Sequence, residues 1–318
     1  MTNTEVIIVG GGPAGSTCAW KLVQAGTECL VVDAEPFPRD KPCAGWTTPD
    51  VLETLEIAPG SYPHSLTRLE RIHFHLRGLR IAVPTRQLAI RRQELDDWLL
   101  RRSGVPLIHH RVREVVRNDG GFVIDGRFRC RFVVGAGGTS CPVYRGLFEE
   151  VAPRHRASLV VALEAELPCQ PADRDCHLWF FDPGLSGYSW YLPKEGGFVN
   201  IGVGGMAAHA KRRGSSIHRH WEELLRRLAQ RGLAVGRECK PRGYAYYLWR
   251  GDPVVHLDGA FLVGDAAGLA TLDMGEGIGA AVRSGALAAD AIATGAPYSL
   301  RSLPKYSIPR IVLARWAR

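Results

Sequence analysis

Residues 5–9 (Glu5-Val6-Ile7-Ile8-Val9) form an apolar run too short for an amphipathic helix, and they lead directly into a glycine-rich turn. Helical spacing follows from residue 14 to 25, with Cys18, Leu22 and Ala25 along one side and Gly26 as a stop, before a second apolar run, Cys29-Leu30-Val31-Val32, ends at Asp33. This pattern predicts a β-α-β unit. Between residues 64 and 90 the chain alternates at Ile72, Phe74, Leu76 and again at Leu79, Ile81, Val83, which predicts strands, and residues 92–103 carry Leu95, Trp98 and Leu99 at helical intervals with Gly104 closing the helix. Asp125-Gly126 between strand-like runs predicts a hairpin over residues 122–128. The strand over 129–134 then enters a second glycine cluster, residues 135–141.

From about residue 151 the pattern changes. Residues 159–167, 177–181, 188–192 and 198–203 read as successive strands rich in aromatic and β-branched side chains. An amphipathic helix over 215–231, with Ile217, Trp221, Leu224, Leu225 and Leu228 on one face, and an aromatic strand over 244–249 complete the region. The expected architecture is an α/β dinucleotide-binding domain (1–60, 88–150 and 252–318) into which an antiparallel sheet with a helix (61–87 and 151–251) is inserted. The inserted region is expected to wall an apolar pocket.

Composition narrows the class. With 318 residues, 46% hydrophobic and 23% charged, the chain reads as an ordinary globular protein. It lacks an apolar run of membrane-spanning length and a signal-peptide layout, so a cytoplasmic location is expected, with the basic stretch 306–318 either touching a membrane surface or, as favoured here, packing on the cofactor domain. Eight cysteines without a C-x-x-C pair argue against both a disulfide framework and a metal site. The net charge of +8 is spread thinly. Such a basic average is weak evidence for nucleic acid, and an anionic cofactor, substrate head group or acidic redox partner explains it as well; no nucleic-acid partner is expected.

Three stretches carry the chemistry. Gly10-Gly11-Gly12-Pro13-Ala14-Gly15 matches G-x-G-x-x-G between strand and helix, a turn in which Gly12 lets a pyrophosphate approach, and Asp33 is placed to accept from a ribose hydroxyl. Phe261-Leu262-Val263-Gly264-Asp265 is a buried strand ending in Gly-Asp, followed by Gly275-Glu276-Gly277-Ile278-Gly279 and a helix of small residues. An aspartate there can bind a ribityl hydroxyl, and the helix amino terminus can stabilise negative charge on a reduced isoalloxazine. The third stretch is the turn-rich loop 37–46, in which Cys43 is either a structural bystander or a residue near a reacting centre, while Arg92 is either a solvated charge or a phosphate contact.

These residues together resemble flavoproteins of the p-hydroxybenzoate hydroxylase class, and within it the geranylgeranyl reductase family. Phe37-Pro38-Arg39-Asp40-Lys41-Pro42-Cys43-Ala44-Gly45 is similar to that family's FPRDKPCGG loop, Tyr188-Ser189-Trp190-Tyr191-Leu192-Pro193-Lys194 to its YxWxFPK segment, and Gly264-Asp265-Ala266-Ala267-Gly268 with Gly275-Glu276-Gly277-Ile278 to its GDAAG…GEGI. The resemblance implies a Rossmann-like FAD-binding domain with an inserted substrate domain. It implies that Gly10, Gly12, Pro13, Ala14, Gly15, Asp33, Arg92, Gly264, Asp265, Gly275, Gly277 and Ile278 bind FAD. It further implies that Cys43 acts in proton delivery and that Tyr188 and Trp190 wall the substrate cavity.

The leading expectation is an FAD-dependent reductase that transfers hydride to a C=C bond of an apolar, isoprenoid-like molecule, with electrons from NAD(P)H or from a separate reductase or ferredoxin. An FAD-dependent monooxygenase or halogenase-like enzyme is the alternative. A flavin-binding redox module without its own turnover is the third. Where the hydroxylases carry Ala-Asp-Gly, this chain has Ala136-Gly137-Gly138, which weakens direct NADPH use of the hydroxylase kind.

Overall fold

The computed structural model describes residues 1–58, 60–233 and 239–313. The β-α-β unit forms as strand Thr2–Val9, helix Pro13–Gln24 and strand Cys29–Asp33. Thr2–Val9 runs parallel to Cys29–Asp33 on one side and to Phe128–Gly135 on the other. A parallel strand covered on both faces reads as a continuous apolar run rather than an alternating one, and Val6 to Val9 are accordingly all buried. Pro13 opens the helix, where a missing N–H leaves nothing unpaired. The sheet continues through Ala260–Leu262 and His256–Leu257 at one edge and Leu107–His109 at the other, with the pair Val115–Asn118 and Gly121–Ile124 branching from it to make eight strands. Helix Pro13–Gln24 packs tightly on helix Ile278–Thr294, and a Cβ on Gly285 would stand 2.2 Å from the Ala14 carbonyl oxygen.

The aromatic region folds as a seven-stranded sheet in the order Arg242–Tyr247, Leu159–Pro168, Phe198–Met206, Gly187–Lys194, Cys176–Phe180, Arg71–Leu76, Leu79–Pro84. Its pairings are antiparallel except that Cys176–Phe180 runs parallel to Arg71–Leu76. Period-two alternation divides its side chains cleanly. Leu163, Tyr191, Ile201, Val203 and Trp179 bury against Trp221, Leu224 and Leu228 of helix Ile217–Gln230. The opposite face, with Ala162, Glu164, Trp190, Leu192, Leu178, Tyr244 and Tyr246, lines a cavity.

Two local details are added to the expectations and one expectation changes. The alternation at Leu79 and Ile81 belongs to an exposed edge strand, where these side chains are 59% and 42% accessible. Leu88–Ile90 leaves that hairpin and instead forms a small sheet with Trp46–Thr47 and Leu66–Arg68, which pins the end of the 37–46 loop through the Ile90 N–H to the Gly45 carbonyl at 2.9 Å. The helix Ile308–Leu313 buries Ile311 in one cluster with Leu178 and Trp190 of the seven-stranded sheet and with Met274, so it packs against that sheet rather than on the dinucleotide-binding sheet. Residues 314–318 of the basic stretch lie outside the described residues. Among the described residues, no helix is long and apolar enough to cross a membrane.

Candidate functional site

A cavity of about 1550 Å³ lies between the two large sheets. A single small-molecule site occupies roughly 300–1,000 Å³. The space therefore suits a large cofactor together with a second molecule.

One end is the glycine turn. Gly10 has φ +113°, and a Cβ on it would stand 2.4 Å from the Ala136 carbonyl oxygen of the second glycine cluster, while one on Gly15 would lie 1.9 Å from the Gly10 oxygen. Both positions are therefore closed to larger residues by backbone. Gly12 differs, because its open side faces the Arg39 guanidinium, with Nη2 3.0 Å from a Cβ built there. Asp33 is buried at the end of its strand and accepts the Gly11 N–H at 2.7 Å and the Glu35 N–H at 2.9 Å, which fixes the turn. Arg39 lies 3.6 Å from Asp33 and 3.4 Å from Asp96 and stacks on Phe37. Its Nε is buried and, among the described residues, has no hydrogen-bond partner. An open turn, a helix amino terminus and an arginine with an unpartnered donor fit the diphosphate of a bound FAD.

Arg92 lies in the cavity wall but is engaged by a carboxylate, donating from Nε and Nη2 to Asp96 at 2.7 and 2.8 Å. Burial alone would lower its pKa, yet Asp96 and then Cys43 hold the guanidinium well above the ordinary arginine value. Sequence reasoning chose Arg92 for the phosphate contact and passed over Arg39, which sits nearer the turn.

The middle of the cavity holds Gly264, Asp265, Gly275, Gly277 and Ile278. Asp265 accepts the Tyr244 hydroxyl at 2.8 Å and lies 3.5 Å from Lys41 Nζ, which itself donates to Tyr244 at 3.0 Å. Burial would lower the Lys41 pKa, but Tyr244 and Asp265 raise it above its usual value. Gly277 caps helix Ile278–Thr294, whose amino terminus opens on the cavity, and a Cβ on Gly277 would stand 3.3 Å from Asp265 Oδ1. The Tyr246 hydroxyl lies 2.4 Å from where a Gly275 Cβ would be.

The other end is apolar. Trp190 lies flat across Gly202 and donates from Nε1 to Asn200 Oδ1 at 2.8 Å, and Tyr188 donates to the Met274 carbonyl at 2.6 Å. Leu178, Phe180, Leu192, Ala162 and Tyr246 complete this wall. Cys43 stands between the ends: its Sγ accepts the Gly45 N–H at 3.4 Å, and its own N–H donates to Glu164. Glu164 is buried in the cavity wall. Burial pushes its carboxyl up to about 7 against the opposing pull of Lys194 and the Cys43 N–H. The sequence reading missed Glu164, Lys41, Tyr244 and Arg39. The loop 37–46 held two of them in plain view, but an acid in an alternating strand carries no mark of which face it takes.

Residues 3–59 match the family model described as "FAD binding domain". Menaquinone reductase of Mycobacterium tuberculosis (strain H37Rv) is 30% identical over 330 residues, covering 91% of this chain and 76% of that protein. Geranylgeranyl diphosphate reductase of Rhodobacter capsulatus is 26% identical, over 90% of this chain and 74% of the relative. The crystal structure of a geranylgeranyl bacteriochlorophyll reductase-like protein from Thermoplasma acidophilum superposes with a TM-score of 0.79 at 19% identity, covering 92% of this chain and 78% of that one, and shares its fold. With a site shaped for FAD and this extent of common sequence, the chain belongs to the geranylgeranyl reductase family and is an FAD-dependent oxidoreductase of the geranylgeranyl and menaquinone reductase type.

Proposed function

We propose that this protein reduces a C=C bond of an apolar, isoprenoid-like substrate. The observation that carries the reading is one continuous cavity, among the described residues, that joins a glycine turn at a helix amino terminus to an aromatic and aliphatic wall. Residues 1–60, 88–150 and 252–318 form the FAD-binding domain in this reading, and 61–87 with 151–251 the substrate domain. Gly10, Gly12, Pro13, Ala14 and Gly15, with Arg39, hold the diphosphate, Asp33 the adenosine ribose and Asp265 the ribityl chain. Arg92 stands behind them, neutralised by Asp96. Gly264, Gly275, Gly277 and Ile278 approach the ring system, where the helix amino terminus favours negative charge.

FAD supplies hydride when reduced. The chain's own part is to hold the substrate's double bond at the junction near Cys43, to exclude water with Tyr188, Trp190, Leu178 and Leu192, and to deliver a proton at Cys43, by its thiol or by a group its backbone holds. Electrons reach the cofactor from NAD(P)H or from a separate reductase or ferredoxin.

The test is anaerobic. Dithionite-reduced protein is mixed with isoprenoid alkenes, among them a geranylgeranyl compound and a polyprenyl quinone, and return of the oxidised flavin spectrum is followed with product mass. A product heavier by two hydrogens supports the reading. Turnover only with oxygen, which is consumed with substrate, would replace it by a monooxygenase or halogenase-like reaction. Cys43→Ala separates the two routes: with flavin still bound it slows the step if the thiol gives the proton and leaves the rate unchanged if a group held by the backbone does, and bleaching by NADPH or by dithionite alone identifies the donor.

A further inference from the structure

Just behind the cavity wall, where Glu164 reaches the lining, a charge group holds more carboxylates than cations. Arg91 donates to Glu166 at 2.9 Å and to Glu94 at 2.7 Å, and Lys194, buried in the strand Gly187–Lys194, bonds the second oxygen of Glu166. Two cations thus face Glu94 and Glu166, and both are already engaged by them. Glu164, two residues before Glu166 on the same face of strand Leu159–Pro168, is a third carboxyl in the same group. Arg92, the next cation along, is paired with Asp96. Arg242, opposite Glu164 in the ladder, is paired with Asp40 at the surface. From the remaining sides Glu164 meets the neutral Asn200, the Cys43 loop, whose cations Arg39 and Lys41 face Asp33 with Asp96 and Tyr244 with Asp265, and the strand that carries Tyr246, whose Oη is itself pushed up by burial and by neighbouring acids, Glu164 among them.

A buried carboxyl in excess of its cations is shifted towards the neutral acid. Cys43 N–H donates to Oε1, which leaves Oε2 as the oxygen to carry the acid's proton. The group has the features of a proton donor: it lies in the cavity wall, it is shielded from bulk water, and its backbone anchor is the loop that carries Cys43.

We propose that Glu164 is the acid that protonates the substrate. The proposal rests on the alkene-reductase reading above. As one carbon of the C=C bond receives the hydride and its electron pair from the reduced cofactor, the π pair of the bond takes the proton from Glu164 Oε2 at the other carbon. The O–H bond breaks, Glu164 is left as a carboxylate beside Lys194, and it regains a proton from solvent after product leaves. Cys43 acts here through its backbone N–H, as a positioning residue for the carboxyl.

Two measurements test this. The first needs no turnover: pH-difference infrared spectra of the flavin-loaded protein without substrate are expected to show the carbonyl band of a protonated carboxylic acid that disappears with a midpoint near pH 7. Glu164→Gln is expected to lack the band and Glu164→Asp to keep one. The second is the anaerobic reoxidation of reduced protein by an alkene. Glu164→Gln is expected to slow it about 10²-fold or more, within the ~10²–10⁴-fold range of general acids, and to flatten its decline above neutral pH, with Glu164→Asp partly restoring both. Cys43→Ala keeps its backbone N–H and is expected to retain the infrared band and the pH profile. A wild type whose carboxyl is ionised throughout the titration, or a Glu164→Gln protein with wild-type rate and pH profile, would overturn the proposal while leaving the alkene-reductase reading intact. A wild type that shows the titrating infrared band yet reduces no alkene would overturn the alkene-reductase reading, and the acid's role with it, so the two failures are told apart by the band.

Discussion

Gly202→Ala is a small change with a large calculable effect. Trp190 and Gly202 face each other across the ladder of two central strands, and a Cβ on Gly202 would stand 2.1, 2.5 and 2.6 Å from the Cζ2, Cε2 and Cη2 atoms of the indole. Carbon atoms pack at about 3.5–4.0 Å, so the ring must withdraw by more than about 1 Å. The Gly202 φ is not in the left-handed region, and the contact alone decides the outcome. Moving the ring strains a packed wall, at about 1–3 kcal/mol, and breaks the 2.8 Å bond to Asn200, at about 1 kcal/mol more. The expected loss is thus about 2–4 kcal/mol, read as a lower urea midpoint with unchanged m-value. Trp190→Leu should remove the clash, so that the double variant is more stable than the sum of the two singles predicts. Because the displaced ring enters the cavity, binding of a long apolar substrate should weaken in Gly202→Ala and recover in the double variant. A Gly202→Ala protein as stable as the parent, or two substitutions with additive effects, would refute the placement of Trp190 as the cavity floor.

Other consequences are read with simpler assays. Arg39→Ala should lower FAD affinity about ten- to a hundred-fold, as loss of a charge-assisted bond of ~1.5–3 kcal/mol implies, and fluorescence titration of released flavin checks it. Asp265→Ala removes the acceptor of Tyr244 and the partner of Lys41, and the purified protein should lose its yellow colour; a fully loaded variant would contradict this placement of the cofactor. Burial, with Arg231 and His177 adding to it, lowers His75 to about 4. A histidine depressed in the folded state binds fewer protons than the unfolded chain between these values, so this contribution to stability is intact above about pH 6.5 and is lost as pH falls towards 4. Urea midpoints between pH 7 and 4 should show this fall, and it should be smaller in His75→Gln.

The dinucleotide-binding half was legible because its rules are local. A strand, a turn whose glycines are closed by backbone, a helix and a terminal acid occupy about thirty consecutive residues, and each element limits the next. The amphipathic helix over Ile217–Gln230 was equally plain, since Trp221, Leu224 and Leu228 show its buried face whatever they touch. The second sheet was legible as strands but not as a surface. Its parallel pairing of Cys176–Phe180 with Arg71–Leu76 joins segments about a hundred residues apart, and no turn between them announces it. Glu164 shows the same limit at one residue. Alternation places it on one face together with Ala162, but whether that face meets water, a helix or a cavity is set by strands far away in sequence.

The same limit explains why the sequence points to Arg92 and not to Arg39. An arginine at the start of a helix is a reasonable phosphate contact by position alone, and Arg92 meets that description. Asp96 one turn later is an equally good partner at i,i+4 spacing, and in a buried site an available carboxylate takes the guanidinium. The cation left to face the open side of Gly12 is then the one carried by the loop, Arg39, whose nearest acids are Asp33 Oδ2 and Asp96 Oδ2 at 3.6 and 3.4 Å, oxygens that already accept from the Gly11 N–H and from Arg92. Longer contacts and an unpartnered Nε mark it as the arginine whose pairing a diphosphate would complete. Charge matching among neighbours, rather than position in a motif, separates the two.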